Sequence, residues 1–85
     1  MSPYIYVLKS LKDGELYTGS TTNLKERLKR HEQGHVPSTR DRRPLELIYY
    51  EFSKNEHDNR MREKYLKTGR GKKYLKVRLK SFWET

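Results

Sequence analysis

Apolar positions change their spacing along this chain, and the changes mark its elements. Tyr4 to Ser10 (YIYVLKS) is apolar on both alternating faces, with Tyr4, Tyr6 and Leu8 on one and Ile5 and Val7 on the other. That pattern predicts a central strand covered on two sides. A second strand-like run begins at Leu16, and Asp13-Gly14 between the two is a tight-turn signal, so residues 4–21 predict an antiparallel hairpin. The period then lengthens. At helical spacing Leu24 and Leu28 lie within about 40° of each other, with Arg27 and His31 on the same side and Lys25, Glu26 and Lys29 opposite. Thr21, Thr22 and Asn23 can each cap a helix running from about Leu24 to Gln33, and Gly34 ends it.

Gly34 to Pro44 (GHVPSTRDRRP) is rich in turn formers and predicts a loop. Leu45 to Phe52 (LELIYYEF) alternates and carries β-branched and aromatic residues, which predicts a third strand. Ser53 with Glu56 forms a capping-box signature for a helix from about Lys54 to Lys67, stopped near Gly69 and Gly71. A last helix over Lys72 to Phe82 places Leu75, Leu79 and Phe82 on one narrow stripe, with Trp83 expected to close over the edge of the core. The order of elements predicts an α+β sandwich, a three-stranded antiparallel β-sheet flanked by helices, as one domain over residues 1–85.

Composition sharpens this outline. A chain of 85 residues with 32% hydrophobic and 36% charged side chains builds a thin core. Seven tyrosines argue against disorder and supply buried area whose hydroxyls need partners. With no cysteine there is neither a disulfide nor a thiolate metal site. No apolar run is long enough for a signal peptide or a membrane span, so a soluble cytoplasmic protein is expected.

The net charge of +9 is unevenly placed. Arg60 to Lys80 contains ten basic residues and the single acid Glu63, while acids and bases balance elsewhere. The excess therefore belongs to the last two helices, a footprint suited to a polyanion and to salt-sensitive, largely sequence-blind contacts. A charge run is also the ordinary character of a solvated face. Arg40, Arg42 and Arg43 in the loop, with the hydroxyls of Ser38 and Thr39, add groups of the kind that contact nucleic-acid backbones, and Arg70, Lys72 and Lys73 continue the set. Glu63 on its own reads as an intrahelical partner for Lys67 or Arg60. Arg27 and His31 read equally as a cation lying along the sheet and a satisfied histidine, and Tyr6 and Tyr17 as core residues that approach across the hairpin.

Tyr4-Ile5-Tyr6 and Tyr17-Thr18-Gly19, separated by ten residues, followed by Asn23, Arg27, His31 and a downstream REKYLK helix, resemble the GIY-YIG nuclease family. Tyr4 stands in place of the first motif glycine. The resemblance runs from about residue 4 to residue 80 and implies metal-dependent hydrolysis of a phosphodiester in DNA, or in RNA. It puts the metal-binding glutamate on Glu63, with a single Mg²⁺ or Mn²⁺ and phosphate oxygens and water completing the coordination. Arg27 would grip the phosphate, and one of Tyr6, Tyr17 and His31 would activate water. These three remain equal candidates for the base, because an unperturbed phenol near 10 needs help from a cation and an imidazole near 6.5 does not. The family's asparagine on the last helix falls at about Val77, which has no hydrogen bond to give, and Asn59 is a conceivable substitute. The implied activity is an endonuclease of low sequence specificity in DNA repair or recombination, acting as a monomer or weak dimer with no membrane partner and no small-molecule cofactor. The alternative is a catalytically weak or silent nucleic-acid-binding module.

Overall fold

The computed structural model describes residues 2–84. Three strands, β1 (Tyr4–Ser10), β2 (Leu16–Thr21) and β3 (Leu45–Phe52), form one antiparallel sheet in the order β2-β1-β3. The two-faced apolar strand is thus the middle one. Its hairpin partner pairs Tyr6 with Gly19 and Leu8 with Tyr17, and β3 pairs Tyr6 with Tyr50 and Tyr4 with Phe52. Gly14, at φ +76°, makes the turn that the Asp-Gly signal predicted.

Alternation along β1 sends its side chains to two different jobs. Ile5 and Val7 point to a core completed by Leu66 and Leu75, with Leu16, Ile48, Tyr49 and Tyr74 packed against it. Each such buried aliphatic chain contributes roughly 1.5–3 kcal/mol, so four of them anchor the helices on this face. Tyr6 and Leu8 point to the other face and are also buried.

Helix α1 (Leu24–Glu32) is capped by Asn23, whose side-chain oxygen accepts from Glu26 N–H at 3.0 Å. The segment read as a loop contains a short helix, α2 (Pro37–Arg40), with proline at its start where no amide hydrogen is needed. Helix α3 (Glu56–Leu66) begins later than the capping-box reading placed it. Asn55 is the cap, accepting from Asp58 N–H at 2.9 Å, while Ser53 stays in the connection and its carbonyl accepts from Asn59 Nδ2 at 2.7 Å.

The expected stop at Gly69 and Gly71 is instead the first turn of α4 (Gly69–Arg78), capped by Thr68. Gly71 is required by packing. A Cβ there would sit 2.6 Å from Leu66 Cα, so the glycine lets the end of α3 and the start of α4 touch backbone to backbone. The expected continuous last helix breaks at Leu79, whose φ of −112° and ψ of 34° leave the helical region, and the chain resumes as α5 (Lys80–Trp83). Leu75 and Phe82 therefore lie on different helices. Lys9 extends over the α5 rings, 5.1 Å from Trp83 and 5.5 Å from Phe82. Among the described residues, no helix is long and apolar enough to cross a membrane.

Candidate active site

The site grows from the central strand. Tyr6 lies opposite Gly19 across the hairpin, and an added Cβ at Gly19 would meet the Tyr6 oxygen at 2.6 Å. The motif glycine is thus the space into which a phenol is laid. Tyr17, one position along the same face, stands with its ring centroid 6.4 Å from that of Tyr6.

Helix α1 brings the remaining groups. Arg27 and His31 are four residues apart and share the inward side of the helix. Arg27 Nε–H donates to the Tyr6 oxygen at 3.2 Å, and His31 Nε2 lies 2.8 Å from the same oxygen. His31 Nδ1 lies 2.7 Å from Thr39 Oγ1. The histidine ring also stands edge-on to Tyr17, 5.3 Å between centroids. Tyr6, His31 and Thr39 are buried, whereas Tyr17 and Arg27 are half-buried. The result is one connected chain, guanidinium to phenol to imidazole to hydroxyl, that begins at the surface and ends in the core.

Electrostatics decide the charge states along it. Burial, and then the adjacent Arg27 charge, push His31 down to about 4, so the imidazole is neutral at physiological pH. A neutral imidazole has one donor and one acceptor nitrogen, so it satisfies Tyr6 and Thr39 together in either tautomer. Burial raises the Tyr6 phenol above its ordinary value; the Arg27 hydrogen bond and charge oppose this, and the negative charge of Glu63 adds to it. Glu63 is therefore near enough for its charge to be felt at the Tyr6 oxygen.

Glu63 itself is paired along α3, its Oε2 lying 3.0 Å from Lys67 Nζ. Among the described residues no group of three His, Cys, Asp or Glu side chains converges. A lone carboxylate fits a hard divalent ion that takes its other ligands from phosphate and water, and does not fit a cage made by protein alone. Neither candidate for the family's asparagine lies free to assist. Val77 is 70% exposed, and buried Asn59 donates its amide hydrogens to the carbonyls of Ser53 and Ser2 at 2.7 and 3.3 Å.

The basic residues divide into two kinds. Arg43 folds back over Gly34 and donates to the carbonyls of Arg40 and Glu32, at 2.9 and 3.3 Å. Arg42 lies 3.6 Å from Asp13. Arg40, Arg70, Lys72 and Lys73 are exposed. Thr39, read from sequence as a group facing phosphate, is instead buried as the second support of His31. The usable signal was Pro37, which starts a helix turn and so fixes where Thr39 points. No local pattern signals a second polar cluster, in which Glu51 accepts from Arg62 at 2.7 Å and from Tyr49 at 2.6 Å while Arg62 stacks 4.7 Å over Tyr74. It joins β3, α3 and α4 and lies on the sheet face opposite Tyr6.

Comparison with known proteins agrees with this geometry. The model of the GIY-YIG catalytic domain matches residues 2–76. A UPF0213 protein of Clostridium perfringens is 46% identical over 65 residues, covering 75% of this chain and 69% of the relative. One from Pediococcus acidilactici is 45% identical over 79 residues, covering 86% and 76%. One from Staphylococcus saprophyticus is 37% identical over 75 residues, covering 87% and 90%. Those names state no activity, and no solved structure matches the chain significantly. With a catalytic-domain match over most of its length, and the phenols, guanidinium and imidazole of the motif in mutual contact, the chain belongs to the GIY-YIG catalytic-domain family.

Proposed function

We propose that this protein is a metal-dependent endonuclease that hydrolyses DNA phosphodiester bonds with low sequence specificity, in repair or recombination in the cytoplasm. The observation that carries the reading is the Tyr6 oxygen, which touches both a cation and a neutral imidazole and feels the charge of Glu63 on α3. Tyr6 is the base assigned here. Burial above all holds this phenol up, the charge of Arg27 and of the ion that Glu63 would hold favours loss of its proton to solvent, and neutral His31 donates Nε2–H to the phenolate while its Nδ1 accepts from Thr39. The phenolate takes a proton from the attacking water as the new oxygen–phosphorus bond forms and the bond to the leaving oxygen breaks.

Half-buried Tyr17 and the guanidinium of Arg27 orient the phosphate. Glu63 holds a single Mg²⁺ or Mn²⁺, which when bound supplies positive charge to the phosphate and the leaving oxygen. Contacts from Arg40, Arg70, Lys72 and Lys73 go to phosphates, which carry no sequence information. Arg42 and Arg43, engaged within the fold, shape the loop beside them.

The test is incubation of pure protein with branched, nicked and plain duplex DNA and either ion. Cleavage lost in Glu63→Ala and Arg27→Ala is the expected result, and cleavage unchanged in both refutes the assignment. The exposed Val77 favours a second reading, a weak or silent nucleic-acid-binding module, which salt-dependent binding without turnover on every substrate would establish.

A further inference from the structure

Tyr6 has a second cross-strand neighbour, Tyr50 on β3, and Tyr4 is paired with Phe52. Side chains alternate along strands, so Tyr4, Tyr50 and Phe52 share the sheet face that carries the Tyr6 oxygen. Their rings form a row, with Tyr4 and Phe52 edge-on at 5.1 Å and Tyr4 and Tyr50 at 6.4 Å. Helix α1 covers Tyr6 but leaves the row open: Tyr50 is 54% and Phe52 52% exposed. Between the row and the start of α1 lies a cleft of about 430 Å³ lined by Tyr4, Thr22, Asn23, Leu24, Lys25 and Tyr50. Leu24 is three residues before Arg27, about 4.5 Å along the helix axis.

We infer that this row and cleft form a stacking site for the bases of unpaired nucleotides adjoining the scissile phosphate, which makes single-stranded or locally unpaired DNA the substrate class. The inference rests on hydrolysis at Tyr6. Bases inside a duplex already have both faces covered, whereas an unpaired base offers a face to an aromatic ring whatever its identity. The cleft has the volume of a small-molecule site and so takes one nucleotide. Singly scattered surface rings need no explanation, but a contiguous row beside a phosphate site does. Two of the three rings carry hydroxyls, Lys25 lies at the cleft and the chain carries +9, which favours a polyanion over an apolar protein surface.

The experiment is fluorescence anisotropy with a labelled oligothymidylate and a labelled duplex of equal length at one fixed salt concentration. The protein is the full chain carrying Glu63→Gln, to suppress cleavage, with and without Tyr50→Leu or Phe52→Leu. Tighter binding of the single strand is expected, with Tyr50→Leu weakening it about tenfold, duplex binding changing less than twofold and the salt slope unchanged. Equal affinity for the two forms, or an equal loss on both, overturns the inference. Sedimentation adds a further arm, since a dimer that Tyr50→Leu splits identifies the row as a contact between copies and also overturns it. A single-strand preference that Tyr50→Leu removes, in a parent chain that cleaves nothing, ends the hydrolysis reading and leaves the stacking site standing. Cleavage that proceeds with binding indifferent to Tyr50 does the reverse.

Discussion

Replacing Gly19 with alanine loads the site at its tightest approach. The new Cβ would lie 2.6 Å from the Tyr6 oxygen, 2.7 Å from Tyr6 Cζ and 3.2 Å from Tyr17 Cε1. Heavy atoms at rest stand about 3.5 Å apart or more, so the phenol must retreat by roughly 1 Å. It has nowhere to go, because Tyr6 is 0% and His31 1% exposed. A shift of that size disrupts the 2.8 Å contact to His31 and the 3.2 Å contact to Arg27. Overpacking costs about 1–3 kcal/mol and a weakened hydrogen bond about 1 kcal/mol, so Gly19→Ala should destabilise the fold by about 2–4 kcal/mol. Activity should fall further, about 10²-fold, since a misplacement near 1 Å is enough for that. Urea denaturation gives the first number and cleavage of nicked DNA, at a temperature where the variant is folded, gives the second. A variant that keeps both its urea midpoint and its cleavage rate within twofold would refute the claim that the site depends on where the Tyr6 oxygen sits.

Other changes test other parts of the fold. Gly69→Ala meets nothing within 4 Å and should stabilise by about 0.5–1 kcal/mol, whereas Gly71→Ala drives a Cβ to 2.6 Å from Leu66 Cα and should cost about 1–3 kcal/mol or more; paired urea curves decide. His31 stays neutral in the fold down to about 4 against an ordinary 6.5, so the unfolded chain takes up this proton first. The stability His31 contributes is therefore present above about pH 6.5 and lost as pH falls towards 4, by up to about 3 kcal/mol, and His31→Gln should flatten urea midpoint against pH in that window. Arg62→Met removes the fork on half-buried Glu51 and should destabilise by about 1–2 kcal/mol while barely altering DNA affinity; lost affinity at unchanged stability would move Arg62 into the binding face.

What the sequence made legible follows from the reach of each signal. β1 is recognisably central because both faces of one strand are apolar, and a period of two reports burial on each side separately. Arg27 and His31 are recognisably inward because helical spacing places them with Leu24 and Leu28. Thr39 supporting His31, and Arg43 folded over Gly34, are contacts made after the chain has turned back, and no local pattern encodes them. Gly71 misled for the same reason. A glycine that admits a neighbouring backbone looks, in sequence, like one that ends a helix. Asn55 outcompeted Ser53 as the cap because Ser53 is tied down elsewhere, its N–H to Pro3 and its carbonyl to Asn59.

The candidate site divides into a rigid part and a loose one, and the division predicts how it responds to metal removal. Tyr6, His31 and Thr39 are buried and hydrogen-bonded in sequence, so the support of the phenol is built by folding alone. Among the described residues the ion pair of Glu63 is with Lys67, a half-exposed i,i+4 pair worth about 0.3–0.5 kcal/mol, so little opposes its exchange for an ion. Little holds an ion either, since no group of three acids, imidazoles or thiols converges among the described residues. Ion affinity in the free protein should then be weak, and a ligand near its dissociation constant stabilises by less than about 1 kcal/mol. Chelation should abolish cleavage while moving the thermal midpoint by no more than a few degrees, since about 1 kcal/mol corresponds to 4–8 °C at this size. A fall of more than about 10 °C on chelation, read by circular dichroism without DNA, would mean that a strong site forms before substrate arrives, and that Glu63 is not the sole protein ligand.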